Sequence, residues 1–412
     1  MVSEVLDKQV PEGYQQTEVG VIPEDWEVYM LDTVANIIDP QPDHRTPPEV
    51  VGGEPYIGIS NFTVDNSVDW DGSRKIIPAA VDKQQASFLI RPGDIIFGKI
   101  GTIGLPKFLP NTSFRYALSA NILLIQPNID PYFIMAWLRS SEVKASISRE
   151  LHSTSQAAFG IHKMRALLIP LPPTGAEQTA IANALSDVDA LITSLEKLIT
   201  KKRAIKTAAM QQLLTGKKRL PPFDRTHTGY KQTELGEIPE DWEVVGLGKV
   251  LSIRHGKSQK NIECENGRYP ILATGGEIGR TNVALYDKPS VLIGRKGTID
   301  KPVYRDKPFW TVDTLFYSEV NEAYHEKFIY YKFCQVDWIS YNEASGVPSL
   351  NTSTIERILQ SVPFDKEEQA AIANVLSDMD KEIEALEHRL TKTQQLKLGM
   401  MQELLTGRTR LL

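Results

Sequence analysis

The 412 residues allow two or three domains with ordinary cores, and 41% hydrophobic with 24% charged residues is the composition of a folded chain. A formal charge of −6 argues against nucleic-acid binding by bulk electrostatics and leaves only local basic surfaces for that purpose. No apolar run is long enough to cross a bilayer, and the first ten residues lack a secretory core; no membrane partner is expected, and a cytoplasmic setting is.

In chain order, the first element is the segment 13–28, GYQQTEVGVIPEDWEV, closing on a short strand at 26–29. Apolar runs at 94–98 and 121–126 predict further strands, and amphipathic spacing predicts a helix over 131–151. Between those strands lies the turn Gly98-Lys99-Ile100-Gly101-Thr102. Its glycines remove bulk, and Lys99 and Thr102 offer donors for phosphate oxygens; a solvated turn is the competing reading. The loop that follows the helix carries Ser155 and Gln156, then His162 and Lys163. Such polar groups can reach base edges, although loops of this composition are commonly just loops.

After a proline-rich exit at 169–173, Ile181, Leu185, Val188, Ile192, Leu195 and Ile199 recur at spacings of 4,3,4,3,4. That is a coiled-coil seam on a helix over 177–214, about 57 Å long, which needs another helix as its partner. The helix closes on Leu-Leu-Thr-Gly216. From 197 to 220 there are eight Lys or Arg and no acid, a stretch open to DNA, an acidic partner or solvent alike.

The order then repeats. Residues 229–244 match 13–28 at 13 of 16 positions, and 368–411 match 177–220 at 24 of 44. Strands are predicted at 242–245, 291–294 and 314–318, and a helix over 325–341. Candidate contacts in this half are Arg254, Lys257 and Ser258, the turn residues Arg295, Lys296 and Thr298, and the loop residues Ser349 and Asn351. The second seam is Ile372, Leu376, Met379, Ile383, Leu386 and Leu390. The fold class is therefore α+β: globular domains at 1–176 and 229–367, long helices with linker at 177–228 and 368–412. The segment 215–228 reaches roughly 50 Å when extended, so the second helix is expected to return antiparallel to the first, with pseudo-two-fold symmetry.

Searches for chemistry end negatively. Pro221-Pro222-Phe223 is preceded by leucine where an amino-methyltransferase needs a polar acceptor. Gly256-Lys257-Ser258 has Leu251 where a phosphate-cradling loop requires glycine, and Gly246-Leu247-Gly248 lacks its third glycine. Pro42-Asp43 and Glu142-Val143-Lys144 are too far apart to read as a nuclease pattern, and the seven histidines show no metal-ligand spacing. Cys264 and Cys334 form no C-x-x-C pair and read as free thiols. No catalytic, cofactor or metal site is expected.

The doubled TE-x-G-x-IPEDWEV segment, the doubled G-K/R-x-G-T-I turn, and the doubled EQ-x-AIA helix ending in LLTG resemble the specificity (S) subunit of type I restriction–modification systems. The resemblance covers almost the whole chain. It implies two target recognition domains on an antiparallel coiled coil, reading a bipartite, asymmetric site in double-stranded DNA with one half per domain. It also implies two methyltransferase subunits as partners, which use S-adenosylmethionine, and restriction subunits, which use ATP with Mg. A coiled-coil adaptor whose two domains bind proteins is the alternative.

Overall fold

The computed structural model describes residues 10–63, 66–152, 158–225 and 229–411. Its elements are mixed α and β, in two compact units that cut across the linear order. One unit takes the chain up to Glu196 together with Arg389 onward; the other is Lys197–His388. Each thus combines one globular body, half of its own long helix and half of the other. The sequence-based divisions at 176, 228 and 367 set the helices apart from the bodies, whereas both helices contribute to each core.

In the first unit the hairpin Tyr14–Thr17 with Gly20–Pro23 leads into Glu27–Met30, which pairs antiparallel with the exit strand Leu168–Leu171. A four-stranded antiparallel sheet runs in the order Ala35–Ile38, Ile122–Pro127, Ile95–Gly98, Pro106–Phe108. A smaller sheet joins Arg74–Ile76, Glu49–Ile57 and Ala117–Leu118, the last two parallel. The second unit repeats the plan. Tyr230–Thr233 pairs with Gly236–Pro239, and Trp242–Gly246 with Leu359–Pro363. Its larger sheet runs Leu251–Arg254, Leu315–Val320, Ser290–Gly294, Val303–Arg305, and its smaller one Gly276–Thr281, Tyr269–Ala273, Trp310–Thr311.

The strands read as continuous apolar runs because both sheet faces are covered. Ile95 and Phe97 face the main core while Ile96 faces a second cluster with Phe88 and Leu118. Val291 and Ile293 divide from Leu292 in the same way. Two helices are broken where one was expected. The 131–151 stretch is Pro131–Leu138 and Ser141–His152, interrupted because Ser140 Oγ accepts from the Val143 amide at 3.2 Å and starts a new helix. The 325–341 stretch is Glu326–Gln335 followed by a single turn at Trp338–Tyr341, the extended backbone of Val336 ending the first.

The long helices are Gly175–Leu213 and Lys366–Leu404, 39 residues each. Ile181, Leu185, Leu195, Ile199, Ile372, Leu376 and Ile383 are buried; Val188, Ile192, Met379, Leu386 and Leu390 are half-buried. In the first unit Lys397 pairs with Asp189 at 2.5 Å and Arg410 with Glu177 at 2.5 Å. In the second, Lys202 pairs with Glu382, Lys206 with Asp380 and Arg219 with Glu368. Within each unit, one partner's number falls as the other's rises, so the helix segments run in opposite directions.

This pairing brings the end of one helix onto the opening segment of the other copy. In the first unit Gly407 (φ +67°) lies against Pro23 and Trp26, where a Cβ would come within 2.6 Å of Pro23 Cγ. Arg410 reaches both Glu177 and Asp25. In the second, Gly216 (φ +73°) lies against Pro239 and Trp242, and Arg219 reaches both Glu368 and Asp241. No helix among the described residues is long and apolar enough to cross a membrane.

Candidate nucleic-acid interface

The glycine turn has the same backbone in both units. A Cβ on Gly98 would lie 2.0 Å from the Thr102 carbonyl oxygen, and one on Gly294 would lie 2.0 Å from that of Thr298. Only glycine fits a turn that folds back so tightly, and Gly101 (φ +77°) and Gly297 (φ +89°) sit in the left-handed region. The amides of Lys99 and Ile100 both donate to Asn121, and those of Arg295 and Lys296 both donate to Thr314.

In each unit the turn is also bridged to the loop before the exit strand. Ile100 pairs with Ala158, and Lys296 with Ser349. The Phe159 amide donates to the Lys99 carbonyl at 2.9 Å, and the Leu350 amide to the Arg295 carbonyl at 2.9 Å. Two elements far apart in sequence therefore form one surface at one end of the larger sheet.

The side chains on that surface differ sharply. Lys99 is a correction: its side chain is only 3% exposed and its ammonium lies 2.6 Å from the Asp39 carboxylate, so it offers no outward donor. The exposed residue at the next position is Ile100. In the second unit Arg295 is partly exposed, its guanidinium 3.3 Å from the Asp313 carbonyl and 3.8 Å from the Asp313 carboxylate, and Lys296 is exposed. The difference traces to the neighbouring strand end, where Asp39 in one unit is matched by His255 in the other, packed edge-on to Phe316.

Thr102 and Thr298 are exposed on their turns. His162 is exposed on the short helix Ile161–Arg165, while Lys163 is held by Glu150 at 3.0 Å. Ser155 and Gln156 lie outside the described residues. Arg254 is exposed but bound to Glu319 at 2.8 Å. Lys257 and Ser258 are exposed beside Thr311, with the Lys257 amide donating to Thr311.

Asn351 is an exposed helix cap. Its Oδ1 accepts from the Thr354 amide at 2.8 Å as the N-cap of Thr352–Arg357, and its Nδ2 donates to Glu343 at 2.6 Å. Both ends of the amide are engaged in local structure, so a base contact would have to displace these bonds.

The sequence reading overlooked the hairpin tip Thr274-Gly275-Gly276, whose threonine Oγ1 lies 3.7 Å from where a Cβ on Gly297 would sit. The Gly-Gly pair between two strand-like runs was the available signal. It also overlooked the loop after the first strand of the other sheet, where His44 takes φ +52° and the Gln41 side chain ties Asp43 to the Arg45 carbonyl. Among the described residues no group of three or more His, Cys, Asp or Glu side chains is placed to hold a metal ion.

A family profile described as the type I restriction modification DNA specificity domain matches this chain twice, at residues 23–206 and 239–397. Two specificity subunits of Methanocaldococcus jannaschii resemble it along their length. One, provisionally named the type I restriction enzyme MjaX specificity subunit, is 29% identical over 97% of each chain. The type I restriction enzyme MjaVIII specificity subunit is 27% identical over 97% of this chain and 96% of its own. In fold the chain is similar to the crystal structure of the type I restriction–modification S subunit from M. genitalium, with a TM-score of 0.62 at 18% identity over 92% of this chain and 96% of that one. With both copies of the profile matched across most of its length, the chain belongs to the family of type I restriction–modification DNA specificity subunits.

Proposed function

We propose that the chain reads a bipartite, asymmetric DNA site, one half per unit, and docks the methyltransferase and restriction subunits of its system without catalysing a reaction itself. The observation that carries this is a repeated backbone platform with unlike side chains. Each unit bridges the same glycine turn to the same loop, but one presents Ile100 and the other Lys296, Lys257 and Arg295. Equal scaffolds with different outward groups suit the recognition of two different half-sites. The opposed helix segments and their apolar seams support an antiparallel coiled coil as the element joining the two readers. S-adenosylmethionine, and ATP with Mg, would be held by the partner subunits, in the cytoplasm.

Sequencing methylated adenines in the host with and without this gene gives the target; loss of one split motif is the expected result. Binding of that duplex by the complex with methyltransferase is then measured against salt. Lys296→Ala and Lys257→Ala should each flatten the slope of log K against log salt by about one. Unchanged slopes in both would take this face off the duplex, and unchanged methylation would support the protein-binding adaptor instead.

A further inference from the structure

Within the first unit, a cavity of about 250 Å³ opens beside the long helices, away from the glycine turn. Its walls are Phe62, Phe108, Tyr132 and Met135, and three cations reach it: Lys107, Arg139 and Lys397. Asp189 is the one acid among the described lining residues, and it is shared, 2.5 Å from Lys397 and 3.7 Å from Arg139. Among the described lining residues the formal balance is +2. The Arg139 guanidinium makes no hydrogen bond among the described residues, and Lys107 is held by the neutral amide oxygen of Asn66. Burial, then the neighbouring Arg139, lowers the Lys107 pKa, as expected of two cations facing each other without an anion between them.

The second unit fills the corresponding place. Six residues after each helix cap, Ala136 is matched by Tyr331, whose hydroxyl donates to Asp380 at 2.7 Å. Nine residues after it, Arg139 is matched by Cys334, and on the equivalent strands Lys107 is matched by Val303 and Phe108 by Tyr304. Tyr304, Tyr330 and Tyr331 stack in sequence, with centroids 5.9 and 5.0 Å apart. One unit closes this site with aromatic rings; the other leaves it open and adds two positive charges.

We propose that the cavity of the first unit is a binding site for a small phosphate monoester. Such a group carries about −1.5 to −2 at neutral pH, which matches the +2 lining, and presents oxygens to the unused fork of Arg139. Phe108 and Tyr132, with ring centroids 4.9 Å apart and planes tilted by 55°, each offer an apolar face against which a planar ring can lie.

The test uses the full chain with adenosine monophosphate, inorganic phosphate, adenosine and potassium chloride at matched ionic strength, followed by titration calorimetry. Adenosine monophosphate is expected to bind with one site and phosphate more weakly. Arg139→Gln, with Lys107→Gln as a second variant should the first not fold, should weaken binding roughly tenfold or more. Ala136→Tyr keeps every charge and should block the site. Heat reproduced by potassium chloride, or affinity unchanged in these variants, overturns the proposal. So does an Arg139→Gln variant that lowers the DNA salt slope without any wild-type response to the nucleotide, which would assign these cations to the duplex.

Discussion

Arg219→Met tests the ion-pair triads in which the repeated motifs meet. The Glu368 side chain is 1% exposed and accepts from Arg219 at 2.8 and 2.6 Å, with Trp242 Nε1 as a third donor at 3.3 Å. Removing the guanidinium strands a buried carboxylate on one neutral donor, a loss of about 3–5 kcal/mol. Asp241 is 39% exposed and recovers its solvation, so it adds little. Because the chain has two units, a single global transition is a poor readout, and hydrogen exchange of the amides in 366–376 reports the second unit directly. Exchange there should accelerate on the order of a hundredfold to several thousandfold. Adding Glu368→Leu should recover most of the loss, since no buried charge then remains. Lys381→Met, at an exposed pair with Asp378, sets the scale for a surface bridge at about 1 kcal/mol or less. An acceleration below tenfold in Arg219→Met would mean that the triad behaves like that surface pair and does not hold the helix to the opening segment.

Gly216→Ala and Gly407→Ala each place a Cβ at positive φ against a proline ring, and should destabilise their units by about 1–3 kcal/mol, read by hydrogen exchange of the amides in each unit. Gly399→Ala, helical and with open space around the new Cβ, should instead stabilise by up to about 1 kcal/mol. Burial pushes the Lys332 ammonium down to about 7, although it donates to the Leu214 carbonyl at 2.9 Å. From pH 7 to 9 the unfolded chain keeps a proton that the folded chain releases, so the second unit should gain stability as pH rises. Lys332→Met should flatten that rise; an unaltered pH profile would place the titration elsewhere. Lys99→Ala should cost the first unit about 3 kcal/mol by stranding Asp39, with the DNA salt slope unchanged.

The scaffold was legible because its signals are periodic or duplicated. Seam spacing gave both long helices, and the apolar runs at 94–98 and 291–294 gave central strands to within a residue. The smaller sheets were not legible: Tyr56 and Ile57 pair in parallel with Ala117 and Leu118, a contact that no local pattern announces. Side-chain direction on the turns was equally hidden. Lys99 and Arg295 hold the same place in the doubled turn, yet Lys99 turns inward to Asp39, 60 positions away, and Arg295 stays partly exposed beside Asp313. The capping role of Asn351 was hidden too, because a cap and a base-reading amide have the same composition.

What repeats and what varies in this chain separate by physical role. Asp25, Glu177 and Arg410 in one unit, and Asp241, Glu368 and Arg219 in the other, are repeated residues that meet one another. Pro23, Trp26 and Gly407, and Pro239, Trp242 and Gly216, do the same through packing. In both sets the final-turn residues come from the helix of the other copy, so each copy is completed only by its sibling. A substitution in such a contact strands its partner, which holds the motif constant in both copies. Asp39 and His255, Ile100 and Lys296, or Ala136 and Tyr331 occupy matched places with neighbours inside their own unit. They can diverge without disturbing the shared frame, and the proposed reading of two unlike half-sites on one scaffold would use that freedom.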